Sequence, residues 1–115
     1  MDIFGIALSG LNASSAGLKV QASNVANQLS DGYKAKRVDL VAEASGGVRV
    51  SAGSSDPTPA GSGVGSGSSS GSVPSNVDIT SETVQGMGYD FMYKANLKVL
   101  KTADDLMKAT LDLKA

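Results

Sequence analysis

The sequence predicts a mainly α-helical chain, with long N- and C-terminal helices pairing as a coiled-coil-like bundle and a short β-hairpin and a flexible Gly/Ser-rich loop between them. Three observations carry that prediction. Both ends place apolar residues at alternating steps of four and three, the spacing of a helical seam. Of the 23 residues in 51–73, 15 are Gly or Ser, a composition with almost nothing to bury. Nearly all the large apolar side chains of this 115-residue chain lie outside that middle. The implied divisions are 1–35 for the first helix and its turn, 36–52 for the hairpin, 53–74 for the loop and 75–115 for the last helix.

The first arm runs from about Ile3 to Leu29. Its seam reads Phe4, Leu8, Leu11, Ser15, Leu18, Ala22, Val25 and Leu29. An ordinary amphipathic helix would carry charges opposite such a seam, yet between Ile3 and Ser30 the only charged residue is Lys19. The off-seam positions hold Ser, Gly, Asn and Gln instead. Gly5, Gly10 and Gly17 each cost a helix about 1 kcal/mol relative to Ala, a cost tolerated where another backbone must come close. This helix is therefore expected to be packed by protein on several sides.

Ser30-Asp31-Gly32 then reads as a turn that stops the helix. Val38–Val41 and Val48–Val50 flank Ala44-Ser45-Gly46-Gly47, the pattern of a short hairpin. In the last arm, Met92, Asn96, Val99, Ala103, Leu106, Thr110 and Leu113 repeat the four-and-three series. Tyr93, Leu97, Leu100, Met107 and Leu111 widen that stripe, and lysines and aspartates occupy the opposite side. Asp78 or Thr80 is expected to cap this helix, with Glu82 or Thr83 in its first turn. Gly86 and Gly88 imply either a bend or a neighbour packed on bare backbone.

Composition excludes most chemistry. With no Cys and no His, the chain lacks a thiolate nucleophile and both the commonest metal ligand and the usual general base. Ten basic against eleven acidic residues leave a formal charge of -1, so no global field selects nucleic acid. The Gly-rich run at residues 61–67 has neither a strand before it nor a Lys-Ser/Thr after it, and so reads as linker. Asp104-Asp105 and Asp39 with Glu43 read as solvated charges, and Lys34, Lys36 and Arg37 form too small a basic run to hold nucleic acid. The expectation is a non-enzyme with no cofactor, no metal, no small-molecule substrate and no nucleic-acid partner. No uninterrupted apolar run approaches the ~20 residues of a membrane span, so direct membrane insertion is not expected, and no basic signal-peptide n-region precedes the first helix.

Two helical ends around a dispensable middle describe an assembly subunit. Copies related by a screw operation stack one patch on a different patch and so build a filament. The expected packing residues are Phe4, Leu8, Leu11, Leu18, Val25, Leu29, Met92, Asn96, Val99, Leu100, Leu106 and Leu113. Cysteines at Leu18 and Leu100 are expected to crosslink within or between chains. A compact coiled-coil adaptor or export chaperone would share the helices but form a small discrete oligomer.

Ala7-Leu8-Ser9-Gly10-Leu11-Asn12-Ala13, then Ser23-Asn24-Val25-Ala26-Asn27 and Gly32-Tyr33-Lys34, resemble the N-terminal signature of bacterial flagellar rod and hook proteins. Asn76-Val77-Asp78, Tyr93-Lys94-Ala95-Asn96 and Lys98-Val99-Leu100-Lys101-Thr102-Ala103-Asp104 resemble the signature at the other end. Ser30-Asp31 stands where that family usually has Thr-Pro, and Gly86–Met92 lacks its usual Arg. Together the matches span roughly residues 1–50 and 74–115. The short middle makes the chain most similar to the small proximal rod proteins, although hook or hook-associated subunits share the same ends. The resemblance implies a periplasmic rod subunit that packs with copies of itself and with other rod proteins and helps transmit torque. It also implies export through the flagellar type III apparatus without a cleaved signal peptide. On this reading Asn24 and Asn27 are buried amides that need partners, and Tyr33 packs over the turn.

Overall fold

The computed structural model of the protein describes residues 2–51 and 74–114; most of the expected Gly/Ser loop lies outside them. Helix α1 spans Ile3–Ala26, strand β1 Asp39–Ala42, strand β2 Val48–Ser51 and helix α2 Ile79–Lys114. The expected mainly helical architecture with a short antiparallel hairpin is the one observed.

α1 stops three residues short of the expected Leu29. Asn27 ends it: its side-chain Nδ2 donates to the Ser23 carbonyl at 2.8 Å, offering the last turn a local alternative to continued helix. The chain then reverses through residues 27–33, with Ser30 N donating to Asn27 O and Tyr33 N to Ser30 O. Gly32 there has φ 68°, a left-handed conformation that glycine adopts without steric cost. The strands pair antiparallel with Leu40 opposite Val50 and Ala42 opposite Val48. Two strands alone are marginal in water, and this pair leans on α1. Val48 N donates to Ser9 Oγ at 3.1 Å, while Gly46 lies over the Ile6 side chain.

Asp78 is the cap of α2. Its Oδ1 accepts from Thr80 N at 3.1 Å, and its carbonyl accepts the first helical bond, from Glu82 N. From there α2 runs unbroken for 36 residues. Gly86 and Gly88 lie inside that continuous helix, and a methyl group added at either would meet nothing within 4 Å. Among the described residues, then, no neighbour packs on their backbone.

The two helices run antiparallel, and the face they share corrects the sequence reading. On α1 the buried residues are Ala7, Gly10, Ala13, Ser14, Gly17, Gln21 and Asn24, a stripe of small and polar side chains. The large apolar seam lies to one side of it: Leu8 is 54% exposed and Val25 41%. The backbones approach closely enough that a Cβ on Gly17 would lie 2.5 Å from the Tyr89 ring, and one on Gly10 2.6 Å from Asn96 Nδ2. Large residues dominate a hydropathy pattern, but close helix approach selects small ones, so the contact stripe follows the glycines. Ser14 tolerates full burial because its hydroxyl donates to the Gly10 carbonyl at 2.7 Å. The buried apolar residues among those described are four alanines, Ala7, Ala13, Ala35 and Ala103.

A second correction concerns hydropathy. α1 is long and apolar enough to cross a membrane by length and composition alone, although no single run of large apolar residues signals it. Interspersed Ile, Leu, Val, Phe and Ala with a single charge raise its average, while Ser14, Gln21 and Asn24 on the contact stripe give it a polar side that packs on α2.

Candidate assembly surface

The register of the helix pair follows from its contacts. Gly10 meets Asn96, Gly17 meets Tyr89, Gln21 meets Gln85 and Asn24 meets Glu82, so facing residues have numbers adding to 106. Ala103 therefore lies level with Ile3, and residues 104–114 project past the start of α1 by about 16 Å at 1.5 Å per residue. Where the pair becomes a single helix there is an open apolar notch. Ile3 and Phe4 form one side, with Val99, Ala103, Leu106, Met107 and Leu111 along the other, and the cavity measures about 670 Å³.

The expected packing residues sit around this architecture unevenly. Phe4, Leu11, Leu18, Met92, Asn96 and Leu100 are half-buried, whereas Leu8, Val25, Leu29, Val99, Leu106 and Leu113 are exposed. Leu113 is 90% and Leu29 89% exposed, at opposite ends of the pair. Phe4 and the α2 residues Val99 and Leu106 line the same notch. The two seams come together at this notch, and the hairpin covers one side of α1 through Ile6 and Ser9. Exposed apolar side chains in this number make a candidate surface for packing against other protein. The register also revises the crosslinking expectation. Leu18 is level with Gly88, twelve residues and about 18 Å of helix axis from Leu100, so a bond between cysteines at 18 and 100 would report contact between chains.

Four of the motif residues, Ser23, Asn24, Tyr33 and Asn76, meet at the end of the pair away from the notch. Asn24 is fully buried and uses its whole amide. Nδ2 donates to Lys36 O at 2.9 Å and to Glu82 Oε2 at 3.0 Å. Oδ1 accepts from Lys36 N at 2.8 Å and from the Tyr33 hydroxyl at 3.1 Å. The amide thus pairs with the Lys36 backbone in both directions, as a neighbouring strand would. Glu82, 1% exposed, also takes a 2.6 Å ion pair from Arg37 Nη1. Gln21 abuts the same carboxylate, and with its amide nitrogen turned toward Glu82 it supplies a further donor to Oε2. A buried charge is tolerated when it is paired and hydrogen-bonded in this way.

Around this cluster, Ser23 Oγ lies 3.3 Å from the Tyr33 hydroxyl. Asn76 Oδ1 accepts from Ala35 N at 2.6 Å, and Asn76 N donates to Tyr33 O. Asn24 is the buried amide anticipated; Asn27 is half-buried and caps α1 instead. Ala26, Lys34 and Ala95 are exposed, Val77 and Tyr93 half-buried, and Asn96 donates to Met92 O while covering Gly10. Glu82, Arg37 and Gln21 were not among the expected site residues. The signals that could have found them are a first-turn glutamate on a helix already capped by Asp78, and the small-residue period that runs Gly10, Ser14, Gly17, Gln21, Asn24.

A helical pair that buries small residues and leaves large ones exposed fits the class of structural subunits. Comparison with known proteins narrows that class. Residues 74–113 match the family described as flagellar basal body rod FlgEFG protein C-terminal. Over 98% of its length the chain is 38% identical to the flagellar basal-body rod protein FlgC of Yersinia enterocolitica, covering 96% of that protein. Identity is 35% to FlgC of Salmonella typhimurium and 33% to that of Buchnera aphidicola, at the same coverage. The chain belongs to the FlgC family of flagellar basal-body rod proteins, and is a structural rod subunit of the flagellar basal body.

Proposed function

We propose that the chain polymerises through its terminal helices into the helical rod, packing against copies of itself and other rod proteins through the seams and the notch, and that it acts mechanically, with no catalytic step. The observation that carries this reading is the inversion of α1, which hides Gly10, Gly17 and Asn24 while leaving Leu8 and Val25 in water. Four buried alanines are a poor hydrophobic core for a chain of this length. Completion by neighbours supplies the missing burial and links folding to assembly. In a rod crossing the periplasm, helices interlocked between subunits resist shear, which is what transmitting torque to the hook requires. Family membership extends the proposal to export through the flagellar type III apparatus without a cleaved signal peptide.

Circular dichroism with sedimentation across a range of concentrations tests this. Helix that becomes cooperative only as large assemblies form is the expected result. A stable helical dimer or tetramer at low concentration would overturn it in favour of a compact adaptor.

A further inference from the structure

We propose that the buried network of Asn24, Glu82 and Arg37 is a register lock, which sets how far α2 is slid along α1 and hence how much of α2 projects past Ile3. The inference concerns the chain's own folding and does not depend on what the chain assembles with.

The rest of the helix interface cannot set the register by itself. Its two closest contacts are Tyr89 over Gly17 and Asn96 over Gly10, and both the glycines and the side chains that cover them are seven residues apart. A slide of seven residues, about 10 Å, puts Tyr89 over Gly10 in one direction or Asn96 over Gly17 in the other. After such a slide one glycine hollow is filled again, while Gly17 faces Glu82 in the first case and Gly10 faces Ala103 in the second. The two closest steric contacts alone therefore leave registers a heptad apart open.

The polar network has no such repeat. Asn24 bonds Glu82 Oε2 at 3.0 Å, and Arg37 holds Oε1 at 2.6 Å from a segment that Asn24 itself clamps through the Lys36 backbone. With the slide that brings Tyr89 to Gly10, Glu82 comes level with Gly17, away from both donors. A carboxylate stripped of its partners and still enclosed by protein is among the costliest errors a fold can make. A buried polar residue that penalises every register but one is the best-attested use of such groups between helices.

The chain has no cysteine, so spin labels can be placed cleanly at Lys19→Cys and Lys101→Cys, both exposed and separated by fourteen residues in the observed register. Their distance is read by pulsed electron resonance, with labelled chains diluted into excess unlabelled protein under conditions where the wild type is helical. The wild type is expected to give one narrow distance. With the lock made apolar (Asn24→Leu, Arg37→Leu, Glu82→Leu), helix content is expected to persist while a second distance appears about 10 Å away. With Glu82→Gln, which keeps a hydrogen-bonding group opposite Asn24, one distance is expected. A single unchanged distance in the apolar triple variant would overturn the proposal. So would loss of helix in that variant without a second distance, since the network would then be a stability element and not a register device.

Discussion

The two faces of α1 are built on opposite principles. One face carries Ala7, Gly10, Ser14 and Gly17 and is buried against α2; the other carries Leu8, Leu11, Leu18 and Val25 and is left exposed or half-buried. In a self-sufficient domain the large residues would take the buried side, because burying a leucine is worth about 2 kcal/mol and a glycine contributes nothing of the kind. The difference separates two jobs. The small face brings two backbones close and is finished within one chain; on the proposed reading the large face holds apolar area in reserve for neighbours. Substitutions on the two faces should therefore fail in different ways.

The largest effect is expected on the reserved face. Leu106 is 63% exposed and lines the notch, beyond the last residue of α2 that faces α1. Leu106→Asp places a charge where a neighbour must bury apolar surface. It is expected to abolish rod incorporation and motility with expression unchanged, measured by swimming and by recovery of the subunit in isolated basal bodies. Leu100→Asp should do the same, but Leu100 is half-buried beside α1 and its loss would blur the two faces. Normal motility with Leu106→Asp would remove the notch from the assembly surface.

Much of this arrangement was legible in the residues. The turn at Ser30-Asp31-Gly32 and the start of α2 at Asp78 or Thr80 were legible, but the end of α1 was not, because Asn27 closes the helix before Leu29. The hairpin showed as two β-branched runs around Gly46-Gly47. The seams were legible as periodic large residues, but which face they took was not, because periodicity marks a stripe without saying whether its partner is in the same chain. The lock was hidden for a different reason. Glu82 and Arg37 each look like ordinary surface charges, and they lie 45 residues apart; only the reversal at Gly32 brings them together.

On the buried face the effect is smaller and internal. A leucine at position 17 would start with its Cβ 2.5 Å from a Tyr89 ring carbon, so the helices must separate. Gly17→Leu is expected to cost about 2–3 kcal/mol of pairing stability, measured by denaturant titration followed by circular dichroism. Adding Tyr89→Ala vacates that space, and the double variant is expected to recover most of the loss, a coupling that separates a steric clash from a change of helix propensity. Failure of Tyr89→Ala to restore stability would mean that Gly17 is needed for something other than the approach of that ring.

The smallest effect gives the finest division between the faces. Gly86 and Gly88 sit mid-helix with nothing within 4 Å of where a Cβ would stand, so Ala at either should stabilise α2 by up to about 1 kcal/mol. They differ in position. Gly88 lies four residues before Met92 and so continues the apolar seam, while Gly86 falls on the other flank with Asp90 and Tyr93. If a neighbouring subunit uses the bare backbone of Gly88, Gly88→Ala will raise the melting temperature of α2 yet reduce assembly, measured by sedimentation. Gly86→Ala will raise the first without touching the second. Two substitutions of one methyl group each, two residues apart, then trace where the reserved face of α2 ends. Equal behaviour of the two variants would mean that the seam does not extend as far toward the cap as Gly88, and that the assembly surface begins at Met92.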